Sequence, residues 1–502
     1  MKKIITSFFL FCSVLLTSFS QTKKADPNFK PALSSPIPVI KITSKSGSSD
    51  FVTKPVAKLV TDARATWGDE RSDPAPFYEE CSVTVIDSEK NEAISNADAK
   101  VKVRGNWTTT YDKKPLRIRF NEEQSLLGMN SNAKNRDWVL LTSYKDWSFS
   151  RDITGLYIAK MLCPGYVSDF NLAEVYINDK YFGVYVVAEL QEVAKNRINI
   201  TQPAKGYKGT DIGYLIEYDY YHYAEKNNFT IKYENPVTDI NGESINPPEK
   251  VGYTIKSKIT NDAQKTFVSN YLSNVWKICY EAAYNNNLLE FDSTYTKLIK
   301  SKAPNAYVCI SKVIDINSLI TAYILSELVC DPDLYYSSFY MTADFGPKGD
   351  KKLHFEAPWD FDSTMGNKNF CADGNGLYAA VKQWDVNHQE QIYCNPWMMV
   401  FVNSDWFNKA VLDRWHAFQA NKPLDKIIAN IDSISTNYQA NFAADQKVWK
   451  NIGKNALIGN ELCKASAACK NQQKAAARLK AWLTARVAYL DKTWQFNRSP
   501  FY

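Results

Sequence analysis

The stretch that decides the fold is Leu353–Asn367, which reads LHFEAPWDFDSTMGN. Bulky apolar side chains alternate along it with polar or small ones, which is the two-residue period of a β-strand with one apolar face. The apolar positions are Leu353, Phe355, Ala357, Trp359 and Phe361. The same period puts Asp360 and Asp362 on one face of the strand, one strand repeat apart. The pattern therefore predicts two neighbouring carboxylates at the end of a buried strand.

Paired carboxylates in this position indicate a divalent cation site. One or two protein carboxylates are enough to hold Mg²⁺ when a substrate supplies phosphate oxygens, so Asp360 and Asp362 are candidate metal ligands. The alternative is that both aspartates only stabilise the following turn, where Asp is common. A carboxylate pair could also hydrolyse a glycoside. Retaining glycosidases need carboxyl groups about 5–5.5 Å apart, and neighbours on one strand face lie about 6.5–7 Å apart at the backbone, which does not exclude that reaction.

A third candidate aspartate follows the helix predicted for residues 315–330. This segment is apolar at helical spacing, Asp315 is a suitable N-cap, and Pro332 lies just beyond its end. Asp333 comes next, in a segment that leads toward Asp360, and a carboxylate there could orient a substrate hydroxyl or accept its proton. Asp331 is the competing candidate, and an ordinary Asp-Pro-Asp turn is the alternative for both.

Basic side chains of the first part of the chain are candidates for binding an anionic group, because phosphoryl transfer needs cations near the transferred charge. They are Arg104, Lys114, Arg117 and Arg151. The period of KKPLRIRF (113–120) puts Lys114 on the apolar side, where its ammonium group either extends to the surface or reaches a buried anion. Glu189 could orient such a lysine or face a nucleotide. The alternative for each cation is a surface or ion-pair residue.

Composition and charge exclude several function classes. The chain has 502 residues, 45% hydrophobic and 23% charged, and its net charge of +6 is spread without a basic run, so nothing indicates nucleic-acid binding. Four histidines and no CxxC motif disfavour a zinc site. The chain lacks Walker, GxGxxG, GxSxG and HExxH motifs, which disfavours P-loop enzymes, elbow-type serine hydrolases and zincins. The aromatic content of 14% fits a large core or surfaces that stack on sugars.

The N-terminus predicts export. Residues 1–20 combine two lysines, an apolar run and a small-x-small ending, which is typical of a cleaved signal peptide and of a secreted or periplasmic protein. No later apolar run is long enough to span a bilayer. Removal of Cys12 leaves nine of the ten cysteines, an odd number that cannot all pair with one another.

The remaining chain predicts an α+β protein. A linker is expected over residues 21–35 and a core domain over 36–395, with strands first, a hairpin over 173–190 and an irregular insertion or lobe connection over 200–260. Residues 396–502 carry apolar side chains at helical spacing and are expected to form a helical part of the same lobe.

Four segments, taken in order, resemble the CotH kinase family, which is named for spore coat protein H. They are VKVRGNWTTTYDKKPLRIRF, WVLLTSYKDWSFSRDITGLYIAKML, VYINDKYFGVYVVAELQEVAKNRINI and the pair SELVCDPDLYYSSFYM with LHFEAPWDFDSTMGN. The resemblance spans roughly residues 100–370. It implies an atypical protein-kinase-like fold with a strand-rich N-terminal lobe and a helix-rich C-terminal lobe.

The resemblance also implies a function. Members bind ATP with a divalent metal, Mg²⁺ or Mn²⁺, and phosphorylate proteins on serine. Carried over by position, Asp360 is the metal-binding aspartate with Asp362 beside it, and Asp333 is the catalytic aspartate. Arg104 and Lys114 fall in the segment that approaches the phosphates, and Glu189 falls near the nucleotide.

Two observations do not fit a secreted kinase of this family. Many members carry Asn in the tyrosine-rich segment where this chain has Ser337 and Ser338, and serine is a shorter and weaker ligand for a second metal ion. ATP is also scarce outside the cell. A catalytically retired binding or structural module, for polysaccharide or a cell surface, is therefore the alternative function.

Overall fold

The computed structural model describes residues 25–66, 68, 73–384, 392–454 and 461–496. The predicted signal peptide lies outside these residues. Strands predominate up to residue 189, strands and helices mix up to residue 393, and helices predominate from residue 396. The predicted α+β class is therefore confirmed, and the helical C-terminal part begins where its apolar spacing predicted.

The first seven strands form a closed barrel, in the order β1-β2-β3-β4-β5-β7-β6. Neighbouring strands are antiparallel except β1 and β6, whose parallel pairing closes the barrel. The predicted hairpin is present as β6 and β7, joined by Asn178 and Asp179 with positive φ. The barrel strands are β1 Val39–Ser44, β2 Glu79–Ile86, β3 Glu92–Val103, β4 Leu116–Gln124, β5 Asn135–Leu141, β6 Phe170–Ile177 and β7 Lys180–Glu189.

Strands β5, β6 and β7 are buried on both faces. Trp138, Val175 and Val187 point into the barrel interior, whereas Val139 and Val186 belong to a second, larger core outside it. Such strands read as continuous apolar runs because neither face meets water. The barrel is therefore joined to the rest of the chain along one wall and exposed along the other.

A second sheet of five strands, in the order β16-β15-β8-β12-β9, lies in the middle of the chain. Its central strand falls inside residues 200–260, so the expectation of irregular structure in this insertion or lobe connection is wrong over Gly213–Asp219 and Gly252–Ile255. The later strands are β8 Gly213–Asp219, β9 Asn228–Phe229, β10 Val237–Thr238, β11 Ser244–Ile245, β12 Gly252–Ile255, β13 Leu289–Phe291, β14 Leu298–Lys300, β15 Phe339–Asp344, β16 His354–Phe355, β17 Gln383–Trp384 and β18 Ile392–Tyr393.

The helices cover the second sheet and the joined wall of the barrel. Helix α4 is buried along its whole length, and α7 is capped by Asp315, whose carboxylate accepts the N–H of Ser318 as predicted. The helices are α1 Asp50–Thr53, α2 Lys58–Thr66, α3 Met129–Asn132, α4 Arg151–Leu162, α5 Asp262–Tyr284, α6 Ala306–Ser311, α7 Ile316–Val329, α8 Pro396–Met399, α9 Asp405–Gln419, α10 Pro423–Asn437, α11 Gln439–Trp449, α12 Lys464–Ala467 and α13 Gln472–Thr493.

Residues 25–35, predicted as a linker, have no helix or strand but are hydrogen-bonded to the core. The Asp26 N–H donates to the Lys160 carbonyl oxygen, and the Ser34 carbonyl oxygen accepts from the Tyr438 hydroxyl. The cysteines from Cys81 to Cys469 are buried free thiols, so no disulfide forms among the described residues. In that same part of the chain, no helix has the length and apolar character needed to cross a membrane.

Candidate active site

The aspartate segment is not the strand that the alternating pattern predicts. Only His354–Phe355 pairs as a strand, and Ala357 and Asp360 have φ values of 57° and 68°, which no strand residue adopts. Pro358 adds a residue without an N–H to donate. The alternation nevertheless predicts burial correctly, because its five apolar side chains are all at most 4% exposed.

Hydrogen bonds from helices α4 and α7 fix this irregular segment. The Phe361 N–H donates to the Asp152 carboxylate at 3.1 Å, and the Met365 N–H donates to the Val329 carbonyl oxygen at 2.7 Å. The Phe361 ring also lies directly against Gly155, where an added Cβ would come within 2.1 Å of a ring carbon. The segment therefore depends on contacts with elements that are distant in sequence.

Asp360 is partly exposed and forms no hydrogen bond or ion pair with any described residue. Burial, together with the carboxylates of Asp362 and Asp333, raises the pKa of Asp360 to about 7, against the opposing effect of Lys145 and Arg104. A left-handed backbone at a residue other than glycine is costly and concentrates at functional sites. A partner-free carboxyl group with a raised pKa is a further indication of function.

Asp362 is paired, unlike Asp360. Its carboxylate lies 3.0 Å from the Lys145 ammonium group, and both side chains are at most 6% exposed. Burial alone would lower the pKa of Lys145, but Asp362, Tyr111 and Glu461 outweigh that effect and raise it well above the usual value. Asn367 strengthens the arrangement, because its amide donates to the carbonyl oxygens of both Lys145 and Asp362.

The two candidates after helix α7 have different environments. The Asp331 carboxylate accepts the Asp333 N–H at 2.9 Å and so caps the turn. The Asp333 carboxylate has no hydrogen-bond partner in the described part of the chain. Burial raises the pKa of Asp333, although the positive charges of Lys368 and Lys145 oppose this. Asp333 is therefore the carboxyl group left available on this turn.

Arg104 lies at the edge of the same cluster. Its guanidinium group stacks over the Trp359 ring at 5.7 Å from the centroid. Burial lowers the pKa of Arg104, and Asp360 is the strongest of the neighbours that oppose this. The fold thus brings Arg104, Asp333, Asp360 and Asp362 together from three separate segments. A small cleft lined by Asp331, Tyr340, Trp359 and Phe361 opens beside them.

Lys114 and Arg151 contact the backbone around the site. The Lys114 ammonium group donates to the carbonyl oxygens of Thr109 and Tyr111 at 2.8 and 2.7 Å, so the predicted inward lysine holds the loop after Arg104. Arg151 pairs with Asp146 at 2.6 Å and donates to the Thr364 carbonyl oxygen at 3.1 Å. It ties the start of helix α4 to the turn after Asp362.

Glu189 is fully buried at the end of β7, where the hairpin pattern placed it. Its carboxylate accepts hydrogen bonds from the Asn130 amide, the Tyr166 hydroxyl and the Asp169 N–H at 2.8–3.1 Å. Arg197 lies 3.4 Å away as its counter-charge. These partners occupy both oxygens of the Glu189 carboxylate, and Lys114 is not among them.

Sequence reasoning missed two residues of the cluster. Lys145 and Asp152 both lie in a segment that resembles the family, and neither is among the candidates that the sequence indicates. Burial and the carboxylates of Asp362 and Asp360 raise the pKa of Asp152 well above its usual value. Burial of a charged residue cannot be read from one position alone, although both residues lie in the second of the four segments that carry the family resemblance.

The residues present fit a divalent cation that is shared with a phosphate. Among the described residues, no three His, Cys, Asp or Glu side chains are arranged to hold a metal ion by themselves. Asp360 offers a carboxylate without a partner, and its pKa is raised by burial and then by the negative charges of Asp362 and Asp333, which a cation would offset. Mg²⁺ commonly binds through one or two carboxylates plus substrate phosphates, so the substrate would complete this site.

Comparison with known proteins identifies the family. A family model described as CotH kinase protein matches residues 101–490, more than three quarters of the chain. The chain belongs to the CotH kinase family. Every candidate site residue lies inside the CotH match, and the resemblance inferred from four short segments is confirmed. CotH membership supports a kinase-like function. Among curated proteins, none matches the sequence.

Proposed function

We propose that this CotH protein is a secreted kinase that transfers the γ-phosphoryl group of ATP to serine side chains of a protein substrate. The environment of Asp360 is the observation that supports the proposal most directly. Asp360 has a left-handed backbone conformation and a carboxyl group without a described partner and with a pKa raised to about 7. Family membership gives the reaction class, and the predicted signal peptide gives the location.

In this proposal Asp360, with Asp362 beside it, holds Mg²⁺ or Mn²⁺, which offsets negative charge on the phosphates when bound. Lys145 keeps Asp362 in place and partly balances the cluster's negative charge. Arg104 faces the phosphates with a guanidinium group that Trp359 supports from behind. The buried aromatic side chains around the cluster exclude water, which strengthens these interactions.

Asp333 orients the serine hydroxyl and accepts its proton during transfer. Its raised pKa makes Asp333 a stronger proton acceptor than an ordinary aspartate. The protein-kinase-like arrangement of two lobes is part of this proposal, with the barrel in the place of the strand-rich lobe. Lys114, Arg151 and Glu189 then support the site through the groups that they hold, among them the Thr109 and Thr364 carbonyl oxygens and the Asp169 N–H.

Binding of nucleotide tests the site directly. The thermal unfolding temperature of the purified chain is measured with ATP and Mg²⁺ or Mn²⁺, beside Asp360→Ala and the control Asp373→Ala, which removes an exposed carboxylate from the neighbouring loop. We expect a metal-dependent rise for the wild type and the control and none for Asp360→Ala. Transfer of radiolabelled γ-phosphate to serine peptides then tests the reaction.

The opposite result would overturn the proposal. Folded wild-type protein that shows no shift at millimolar ATP with either metal does not bind nucleotide. A shift retained in Asp360→Ala would remove Asp360 from the metal site.

A further inference from the structure

A row of basic side chains runs along the outer face of the barrel beside the site. We call Lys102, Arg104, Arg117 and Arg119 the basic ladder. Lys102 pairs with Arg117 across β3 and β4, and Arg119 pairs with Lys100 in the next register position. The residues between them, such as Val101 and Ile118, point into the barrel interior, so the ladder faces outward.

The ladder carries more positive charge than its surroundings neutralise. Asp137 bridges Arg117 at 2.7 Å and Arg119 at 3.1 Å with a single carboxylate. Lys102 forms no ion pair with a described residue, and its ammonium group lies 4.8 Å from the centroid of the Tyr78 ring. Two other carboxylates nearby are already engaged, since Glu80 pairs with Lys100 and Glu192 pairs with Arg197.

Repulsion within the ladder is visible at Lys102. Burial lowers the pKa of Lys102, and Arg117, Arg119 and Arg104 lower it further. Like charges at facing positions of neighbouring strands destabilise a sheet. An anionic partner laid along the ladder would relieve this repulsion, and the Arg117 and Arg119 side chains are accessible to it, at 24% and 49% exposure.

The ladder is continuous with the site. Arg104 forms its near end, stacks over Trp359 and lies close enough to Asp360 for their charges to interact. Arg119 stands opposite Lys100, two strand repeats from Arg104, which is about 13 Å along β3. That distance is beyond the reach of a phosphate group held beside Asp360, whereas about four residues of extended peptide span it.

From this geometry we infer that the basic ladder docks an acidic segment of the protein substrate, with glutamate or aspartate side chains about two to five residues from the acceptor serine. The acceptor serine in this inference rests on the proposed kinase function, but binding of the acidic segment does not require phosphoryl transfer. The basic ladder then selects the protein substrate, whereas the aspartates carry out phosphoryl transfer.

The experiment measures docking and turnover separately. The full chain is titrated into a fluorescent peptide with four consecutive glutamates, one glycine and a serine, and into the same peptide with glutamines, and anisotropy is recorded without ATP. The test variant is Lys102→Gln/Arg119→Gln. The matched control is Lys41→Gln/Lys45→Gln, which removes two positive charges from β1 and the residue after it.

We expect the glutamate peptide to bind more tightly than the glutamine peptide, and the test variant to weaken that binding about five- to tenfold, with no change for the control. Raising the NaCl concentration should weaken it as well. KM for ATP and turnover of the glutamine peptide should stay at wild-type values in the test variant.

Equal binding of the two peptides, or equal loss in test and control variants, would overturn the inference. A matching rise in KM for ATP would assign the ladder to the nucleotide instead and would overturn it too. Tight glutamate-peptide binding by a chain that transfers no phosphate to any peptide would contradict the proposed function and leave the docking surface standing.

Discussion

At the scale of single residues, the aspartates of the site differ in whether their carboxylates have a partner in the fold. Asp331 accepts a backbone N–H and Asp362 pairs with Lys145, so each is held by the fold. Asp333 and Asp360 are the two whose carboxyl groups have no hydrogen-bond partner in the described part of the chain. A partly buried carboxyl group without a partner is costly to keep ionised, and this cost is consistent with a group reserved for a substrate or a cation.

Asp333→Asn should keep nucleotide binding and lose phosphoryl transfer, because only the proton acceptor is removed. We expect kcat to fall about 10²–10⁴-fold, with KM for ATP and the ATP-induced thermal shift unchanged. Steady-state kinetics with a serine peptide measure both. The matched variant Asp331→Asn keeps a capping side chain and should lose much less activity, so similar losses in the two variants would contradict the assignment.

His354 should make stability depend on pH. Its ring lies 3.0 Å from the Asp350 carboxylate, and although burial lowers the pKa of His354, the contact with Asp350 outweighs this and raises it above 6.5. The same ion pair, against the effect of burial, lowers the pKa of Asp350. A raised histidine pKa stabilises the folded state fully below the unfolded value and no longer once pH exceeds the folded value.

The difference in free energy of unfolding between wild type and His354→Gln should therefore be largest between about pH 4 and 6.5 and disappear at alkaline pH. Chemical denaturation across this range measures it. Asp350→Asn should abolish the same pH dependence, and a His354→Gln difference that does not change with pH would exclude the ion pair as its cause.

Sequence predicted some of these residues and could not predict others. Asp333 and Asp360 stand in short motifs with distinctive neighbours, so position alone made them candidates. Lys145 pairs with a carboxylate 217 residues later, and no local pattern records such a contact. Lys114 was correctly expected to point inward, but whether it meets an anion or backbone carbonyls is decided by the fold.

At the scale of elements, the site depends on the close approach of helix α4 to the aspartate segment. Glycine within a helix costs about 0.5–1 kcal/mol relative to alanine, and Gly155 occurs where the Phe361 ring allows no Cβ. Gly155→Ala should therefore destabilise the chain by about 1–3 kcal/mol, despite the better helix former, and should reduce activity by moving Asp360 and Asp362.

Thermal unfolding and peptide phosphorylation measure the two effects. The double variant Gly155→Ala/Phe361→Leu should recover part of the lost stability, since a leucine side chain can move away from the added methyl group. If Gly155→Ala is as stable and active as wild type, the contact does not position the aspartates.

Elements were predictable where the pattern was local and long. The hairpin of β6 and β7 and helix α7 follow from apolar period, turn residues and capping residues. The alternating pattern wrongly predicted a strand for the aspartate segment, because alternating burial does not require strand hydrogen bonds. The backbone conformation at Ala357 and Asp360 departs from that of a strand. Strand β8 was missed because GYLIEYD is flanked by polar, irregular sequence.

At the scale of the whole molecule, a buried ion pair joins the barrel to the helical end. Lys113 lies 2.5 Å from Asp445 of helix α11, both side chains are 1% exposed, and the same carboxylate accepts the Val184 N–H at 2.8 Å. Asp445→Ala should cost about 3–5 kcal/mol, because it leaves a buried lysine without its counter-charge.

Denaturant unfolding of Asp445→Ala measures this loss, beside Asp432→Ala on helix α10. Asp432 pairs with Lys480 at the surface and is 53% exposed, so its removal should change stability by less than about 0.5 kcal/mol. Equal effects of the two substitutions would mean that the helical end does not support the barrel.

The overall arrangement was only partly predictable from sequence. Composition and element order indicate an α+β chain, and the four motifs indicate the family. Closure of the barrel was not foreseen, because it needs β1 to pair with β6, which follows it by more than a hundred residues. Non-local pairing of this kind leaves no trace in either strand's own sequence.

The Lys113–Asp445 pair also has a consequence for how the chain folds. Its two members are 332 residues apart, and the apolar outer wall of β5, β6 and β7 is covered by helices, of which α11 is encoded near the end of the chain. Contacts so distant in sequence slow folding, because the entropy of closing a long loop is lost before the stabilising contacts can form. A nascent chain therefore carries a barrel with an uncovered apolar wall until its last quarter is made. Until then the uncovered part of that wall is an apolar surface on which aggregation can begin.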